Sequence, residues 1–170
     1  MNLSAQTNVS GVISANTTWT KAGSPYIITN NLLVNSGVTL TINDGVTIRV
    51  NGNYFIKIEG ILDAVGLSNS KITFETNLST PTRINWSGIQ IRPTGGSVIN
   101  NDLTYSSGTR IKHVVIKNAN KGIYVYNTGV FIDNTEFNNN NNGIEFRSSN
   151  NVLIDNCTFV NNNYGTYTEY

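Results

Sequence analysis

Asp133 and Asp155 stand 22 residues apart, each between an Ile and an Asn, and Lys112 takes the same place 21 residues before Asp133. If such positions stack, the Cα atoms of two carboxylate residues lie about 4.8 Å apart. Like charges that close raise the pKa of one member or recruit a cation. The spacing also suits the acid and nucleophile of a retaining glycosidase. The simpler reading is a solvated column in which Lys112 neutralises Asp133, since no third acid or neighbouring base joins them. Asp133 and Asp155 are the catalytic candidates, and the expectation is a non-enzyme with no metal and no cofactor. An enzyme using this pair would be a glycoside hydrolase.

A second set follows a recurring glycine. Tyr124, Glu145 and Tyr167 fall in one column, and Tyr126, Arg147 and Glu169 in the next. Tyrosines exposed on a flat strand face can stack on sugar rings while Arg147 and Glu169 hydrogen-bond hydroxyls. Equally, Tyr favours strands, and Arg147–Glu169 is then a cross-strand ion pair of at most about 1 kcal/mol.

Both sets depend on a repeat that must position them. Ile111, Ile132 and Ile154 open three copies, followed by Ile116, Phe137 and Phe159, then Asn118, Asn139 and Asn161, then Gly122, Gly143 and Gly165. Steps of 21 and 22 residues are too long for a heptad and suit one coil of a β-solenoid. Upstream, Val38-Leu40-Ile42, Val46-Ile48-Val50 and Tyr54-Ile56-Ile58 alternate with polar residues and begin 8 residues apart. Three such strands make a coil of about 24 residues, so successive triplets lie on successive faces of a three-sided tube. An antiparallel sandwich is the rival, given the N-D-G and N-G-N turn signals. Hairpins, however, require no identity at a 21–22 residue step.

In this alignment Asn134 and Asn156 share a slot with His113. Asn tolerates the left-handed conformation of a tight bend, and its amide can bond to the next Asn in a stack. The slot predicts an internal asparagine ladder capped by His113. The five asparagines at 138–142 read as a turn, in register with both neighbours. Cys157, sharing its slot with Val114 and Thr135, reads as a small core filler.

Residues 1–25 are irregularly patterned and form a lead or capping segment; the β-helix is expected over 26–170. Loops are expected to project at about 76–84 and 92–110, where Pro and Gly cluster, with Trp86 to Ile91 returning to the core as a strand. In the last coil the inward slots turn polar, to Thr166 and Thr168. That switch suits an end coil meeting water, whose open edge would serve head-to-tail stacking by strand addition.

Charged residues make up 12% of the chain, the net charge is +1, and 29 of the 170 residues are Asn. No basic cluster exceeds two residues, so nucleic acid is not an expected partner. No apolar run approaches the roughly 20 residues of a membrane span. The start carries no signal peptide. A charge-poor, Asn-rich β protein suggests an extracellular or cell-surface location, with the leader removed or omitted.

The stretch from Thr18 to Thr76 (T-W-T-K-A-G-S-P-Y-I-I-T, then S-G-V-T-L-T-I-N-D-G-V-T-I, G-I-L-D-A-V-G and K-I-T-F) resembles the right-handed parallel β-helix modules of secreted bacterial and archaeal surface proteins. W-S-G-I at 86–89 and the I-D-N-C-T-F-x-N-N repeat around 153–162 are similar too. The resemblance implies an all-β, right-handed, single-stranded parallel β-helix with coils of about 21–24 residues. It is poor for function, because such modules occur in adhesins, tail fibres, polysaccharide lyases and hydrolases. The lyases carry acidic calcium sites and a catalytic Arg or Lys, a constellation with no residue-by-residue match here. The leading expectation is a structural surface module (stalk, surface-layer or fibre subunit) whose partner is itself. The alternative is a polysaccharide-binding or -cleaving helix acting through its outer face and the loops at 75–110.

Overall fold

The computed structural model describes residues 6–169. Period-2 alternation buries one side of most strands, which are short, and the chain turns a corner after each instead of folding back on itself. β1 (Thr7–Ile13), β2 (Thr17–Trp19) and β3 (Tyr26–Val34) come first. β4 (Thr39–Ile42), β5 (Thr47–Val50) and β6 (Phe55–Ile58) form one coil, and β7 (Ile61–Val65), β8 (Ile72–Thr76) and β9 (Gly88–Ile91) the next. A small hairpin of β10 (Val98–Ile99) and β11 (Tyr105–Ser107) intervenes. Then come β12 (Arg110–Lys112), β13 (Val114–Lys117) and β14 (Lys121–Tyr126), followed by β15 (Val130–Asp133), β16 (Glu136–Asn138) and β17 (Asn142–Arg147). β18 (Val152–Asp155), β19 (Thr158–Val160) and β20 (Tyr164–Glu169) form the last described coil.

Three parallel faces result. The first runs β1-β3-β5-β8-β13-β16-β19 and the second β1-β3-β6-β9-β14-β17-β20, because β1 and β3 each span the corner between them. The third runs β2-β4-β7-β12-β15-β18. Among the named strands only β10 and β11 pair antiparallel, which excludes the sandwich. β1 and β2 lie within residues 1–25 yet pair in register with β3 and β4, so the parallel ladders start at Thr7, ahead of Tyr26. The apolar alternation is faint there because β1, with partners on one side only, buries little beyond Ile13.

Inside the tube, equivalent side chains stack. Ile48, Phe74, Ile116, Phe137 and Phe159 form one column, with the Phe137 and Phe159 rings 5.1 Å apart and nearly parallel. Trp19, Ile42, Ala64, Ile111, Ile132 and Ile154 form another. Most of these side chains are fully buried, each contributing about 1.5–3 kcal/mol through removal from water. Gly122 and Gly143 mark where the wall closes in on that core. A Cβ on Gly143 would sit 2.5 Å from the Gly165 carbonyl oxygen and 2.8 Å from the Phe159 ring.

Two insertions interrupt the rhythm, each anchored to neighbouring coils by a few hydrogen bonds. The 77–87 loop is held by Asn85 N–H donating to the Asn118 carbonyl (3.0 Å) and Asn141 N–H donating to the Arg83 carbonyl (3.1 Å). Trp86, fully buried, donates its indole N–H to the Lys117 carbonyl at 3.0 Å. The 92–109 insertion contains the hairpin, packs Tyr105 on Phe131 at 5.3 Å, and bonds Ser97 N–H to the Gly129 carbonyl. Each insertion is thus tied to later coils at a few backbone points, while residues 77–84 and 100–104 stay exposed to solvent.

Corners carry the strain of the fold. Asn118, Asn139 and Asn161 have φ of 65°, 55° and 55°, and His113, Asn134 and Asn156 have 50°, 48° and 49°. The internal asparagine ladder sits one residue beyond the first of these columns. Asn140, fully buried, accepts from Ala119 N–H (2.9 Å) and donates to the Ile116 carbonyl (3.0 Å). Asn162 repeats the arrangement, accepting from Asn140 N–H (2.8 Å) and donating to the Phe137 carbonyl (2.8 Å). Removing Asn140 orphans a buried donor and a buried acceptor together. Asn140→Ala is expected to lose about 2–4 kcal/mol in urea unfolding. Asn141→Ala, in the outer column that bonds Asn120 and Asn163, should lose less than about 1 kcal/mol.

Candidate functional site

On the third face, strand register puts Lys112, Asp133 and Asp155 in one column, as the repeat requires. Lys112 Nζ lies 2.7 Å from Asp133 Oδ2, and Asn134 Nδ2 donates to Asp133 Oδ1 at 2.6 Å. Asp155 is exposed, and its oxygens accept from the backbone N–H and the side-chain amide of Asn156. Burial pushes the Asp133 carboxyl up, but Lys112 and the amides of Asn156 and Asn134 outweigh it and hold the group below the usual range. A raised carboxyl at Asp133, as stacking alone predicts, is therefore not what forms. The asparagines expected to bond to each other at this corner instead turn outward to Asp133 and Asp155. His113 consequently caps no amide stack.

Acids elsewhere are held in the same way. Glu75 lies between Arg49 on the preceding coil (2.9 Å) and Lys117 on the following one (2.8 Å). Burial raises its carboxyl, and the two cations more than reverse that. Arg110 grips Asp63 through two nitrogens, at 2.6 and 3.1 Å.

The second face carries the tyrosine columns. Tyr124, Glu145 and Tyr167 are register partners, as are Tyr126, Arg147 and Glu169. They do not make one open surface. Glu145 is only 3% exposed, with Lys121 Nζ 2.5 Å from Oε1 and Asn142 Nδ2 donating to Oε2 at 2.6 Å. Its expected role as a sugar contact is corrected accordingly, because Tyr124 and Tyr167 flank it on both sides. The Arg92 guanidinium lies 5.5 Å from the ring centre of Tyr124 and 5.4 Å from that of Tyr126, and the Lys121 ammonium lies 4.4 Å from that of Tyr124. Tyr126, Tyr164 and Tyr167 stay exposed (36%, 52% and 42%), beside the loose Arg147–Glu169 pair at 3.9 Å. Lys121, Asn142, Tyr164 and Arg92 were not singled out by sequence. Only the recurrence of Lys and Asn one residue before the repeat glycines could have marked the first two.

Cys157 packs against the core, and burial raises its thiol above the usual range. Thr166 and Thr168 pair with Ile144 and Phe146 and are exposed in the last coil. Among the described residues no group of three or more His, Cys, Asp or Glu could hold a metal ion.

Residues 87–170 match the family model described as right handed beta helix region. That span is just under half of the chain, and the same parallel ladders continue back to Thr7. No curated protein and no solved structure matches the chain. The fold is that of a right-handed parallel β-helix, as right-handed crossovers between parallel strands require.

A carboxyl held down by folding stabilises the protein above its unfolded pKa of about 4 and loses that contribution as pH falls through the folded value. For Asp133 and Glu75 the loss therefore falls on the acid side. Lys112→Met should raise the Asp133 pKa in a carboxyl-detected NMR titration and move acid unfolding to higher pH.

Proposed function

We propose that this chain is a non-catalytic structural module, a rigid rod used as a stalk, surface-layer or fibre unit outside the cell. What supports the reading is the use made of the reactive side chains. Of the ten acids in the chain, eight (Asp44, Glu59, Asp63, Glu75, Asp133, Glu136, Glu145 and Glu169) have a Lys or Arg within 4 Å. All but one of these pairs join different coils, so charge is spent on holding the stack together. The Asn-rich, charge-poor composition supports the extracellular location.

Self-association through the coil edges belongs to the same proposal. β1 and β2 at one end, and β18, β19 and β20 at the other, are paired on one side only. Among the described residues these edges have no second strand partner, and such edges are suited to strand addition by a second copy. A second reading, polysaccharide binding, rests on exposed Tyr126, Tyr164 and Tyr167 beside Arg147 and Glu169 on one flat face.

Light scattering over a concentration series, with negative-stain images of the same samples, separates the two. Uniform filaments of constant width are the expected result. Strict monomers at every concentration would remove self-stacking. A polysaccharide-induced change in tyrosine fluorescence, lost in Tyr167→Ala, would then favour the glycan surface.

A further inference from the structure

Where β14 and β17 enter the second face, three functional groups meet that the ion-pair network does not fully explain. Lys121 and Asn142 are register partners on adjacent coils. Glu145 bridges them, accepting from Lys121 Nζ at 2.5 Å and from Asn142 Nδ2 at 2.6 Å. Asn142 is buried, and its Oδ1 is a buried acceptor with no hydrogen-bond partner. An orphaned carbonyl oxygen beside a buried carboxylate is costly in a finished structure. The site is walled by rings: Tyr124 and Tyr167 are the register partners of Glu145, and Tyr164 that of Asn142. The Lys121 ammonium rests 4.4 Å from the centre of the Tyr124 ring.

An amine and a carboxamide bridged by one sheltered carboxylate are the components of an amide exchange. We propose that Lys121 and Asn142 join in an intramolecular isopeptide bond, with Glu145 carrying the protons. Glu145 first takes a proton from the Lys121 ammonium, leaving a neutral amine and a neutral acid; burial of the carboxylate, which is 3% exposed, makes loss of the ion pair less costly. Half a turn of the Asn142 amide then sets Oδ1 against the protonated Glu145, which satisfies the orphaned oxygen and polarises the carbonyl. Lys121 Nζ attacks Cγ, and a new C–N bond forms as the carbonyl oxygen gains charge. The tetrahedral centre collapses and the Cγ–Nδ2 bond breaks. Glu145 relays the protons shed by Nζ to the departing nitrogen, which leaves as ammonium. Lys–NH3+ and Asn–CONH2 thus become Lys–NH–CO–Asn and NH4+, with Glu145 returned to the carboxylate. Holding both partners in one strand register replaces an encounter in solution with a step inside the fold. The product ties two coils covalently in a chain whose single cysteine permits no internal disulfide.

Intact mass spectrometry and peptide mapping of the full chain, as purified and after prolonged warming, test this. The expected result is a mass lower by one ammonia, with a branched peptide joining the Lys121 and Asn142 segments and no tryptic cleavage after Lys121. Glu145→Gln should slow formation at least tenfold, and Lys121→Arg should abolish it. A succinimide at Asn142–Gly143 also loses one ammonia, but it leaves Lys121 free, reopens in mild base and survives Lys121→Arg. Finding that pattern, or the full unmodified mass after warming, would overturn the proposal. The branched peptide from the unaltered chain decides the matter even if a variant fails to fold.

Discussion

Backbone hydrogen bonding between coils is the constraint on which everything else in this molecule rests. Each short strand has too few residues to be stable alone, and its N–H and C=O groups find partners only on the coils before and after. Parallel pairing fixes equivalent residues one above another, so Ile111 meets Ile132 and Ile154, and Lys112 meets Asp133 and Asp155. Any side chain is therefore judged against its equivalents one coil away. The corners must repeat too, which explains the left-handed φ values shared by His113, Asn134 and Asn156.

Stacking creates an electrostatic problem as well as a hydrophobic solution. A column of like charges would repel along the whole tube. The chain answers by changing sign between coils, as in Arg49–Glu75–Lys117, Asp63–Arg110 and Lys112–Asp133. At Glu75 and Asp133 the neighbouring cations hold the carboxyl below its usual range, which suits adhesion between coils. Glu145 differs, since it is nearly enclosed and serves an amide as well as an amine.

The repeat, the three-sided coil, the glycine column and the stacked triplets Tyr124–Glu145–Tyr167 and Tyr126–Arg147–Glu169 were legible in the sequence. Which asparagine of the run at 138–142 points inward was not. The left-handed turn at Asn139 rotates the chain so that Asn140 enters the core, and a one-residue difference at a corner has no signature in composition. Nor was the enclosure of Glu145 visible. It depends on a lysine and a tyrosine from the coil before it and tyrosines from the coil after it.

By itself the amino-acid sequence determined the architecture, because a 21–22 residue identity with period-2 alternation can bury its apolar side only by stacking coils. It also determined which residues share a column, since register follows from that same repeat. Only the tertiary structure decided which members of each column are open to solvent and which are locked. That outcome depends on corner geometry and on insertions tied to later coils. Neither is periodic, so neither is written in the repeat.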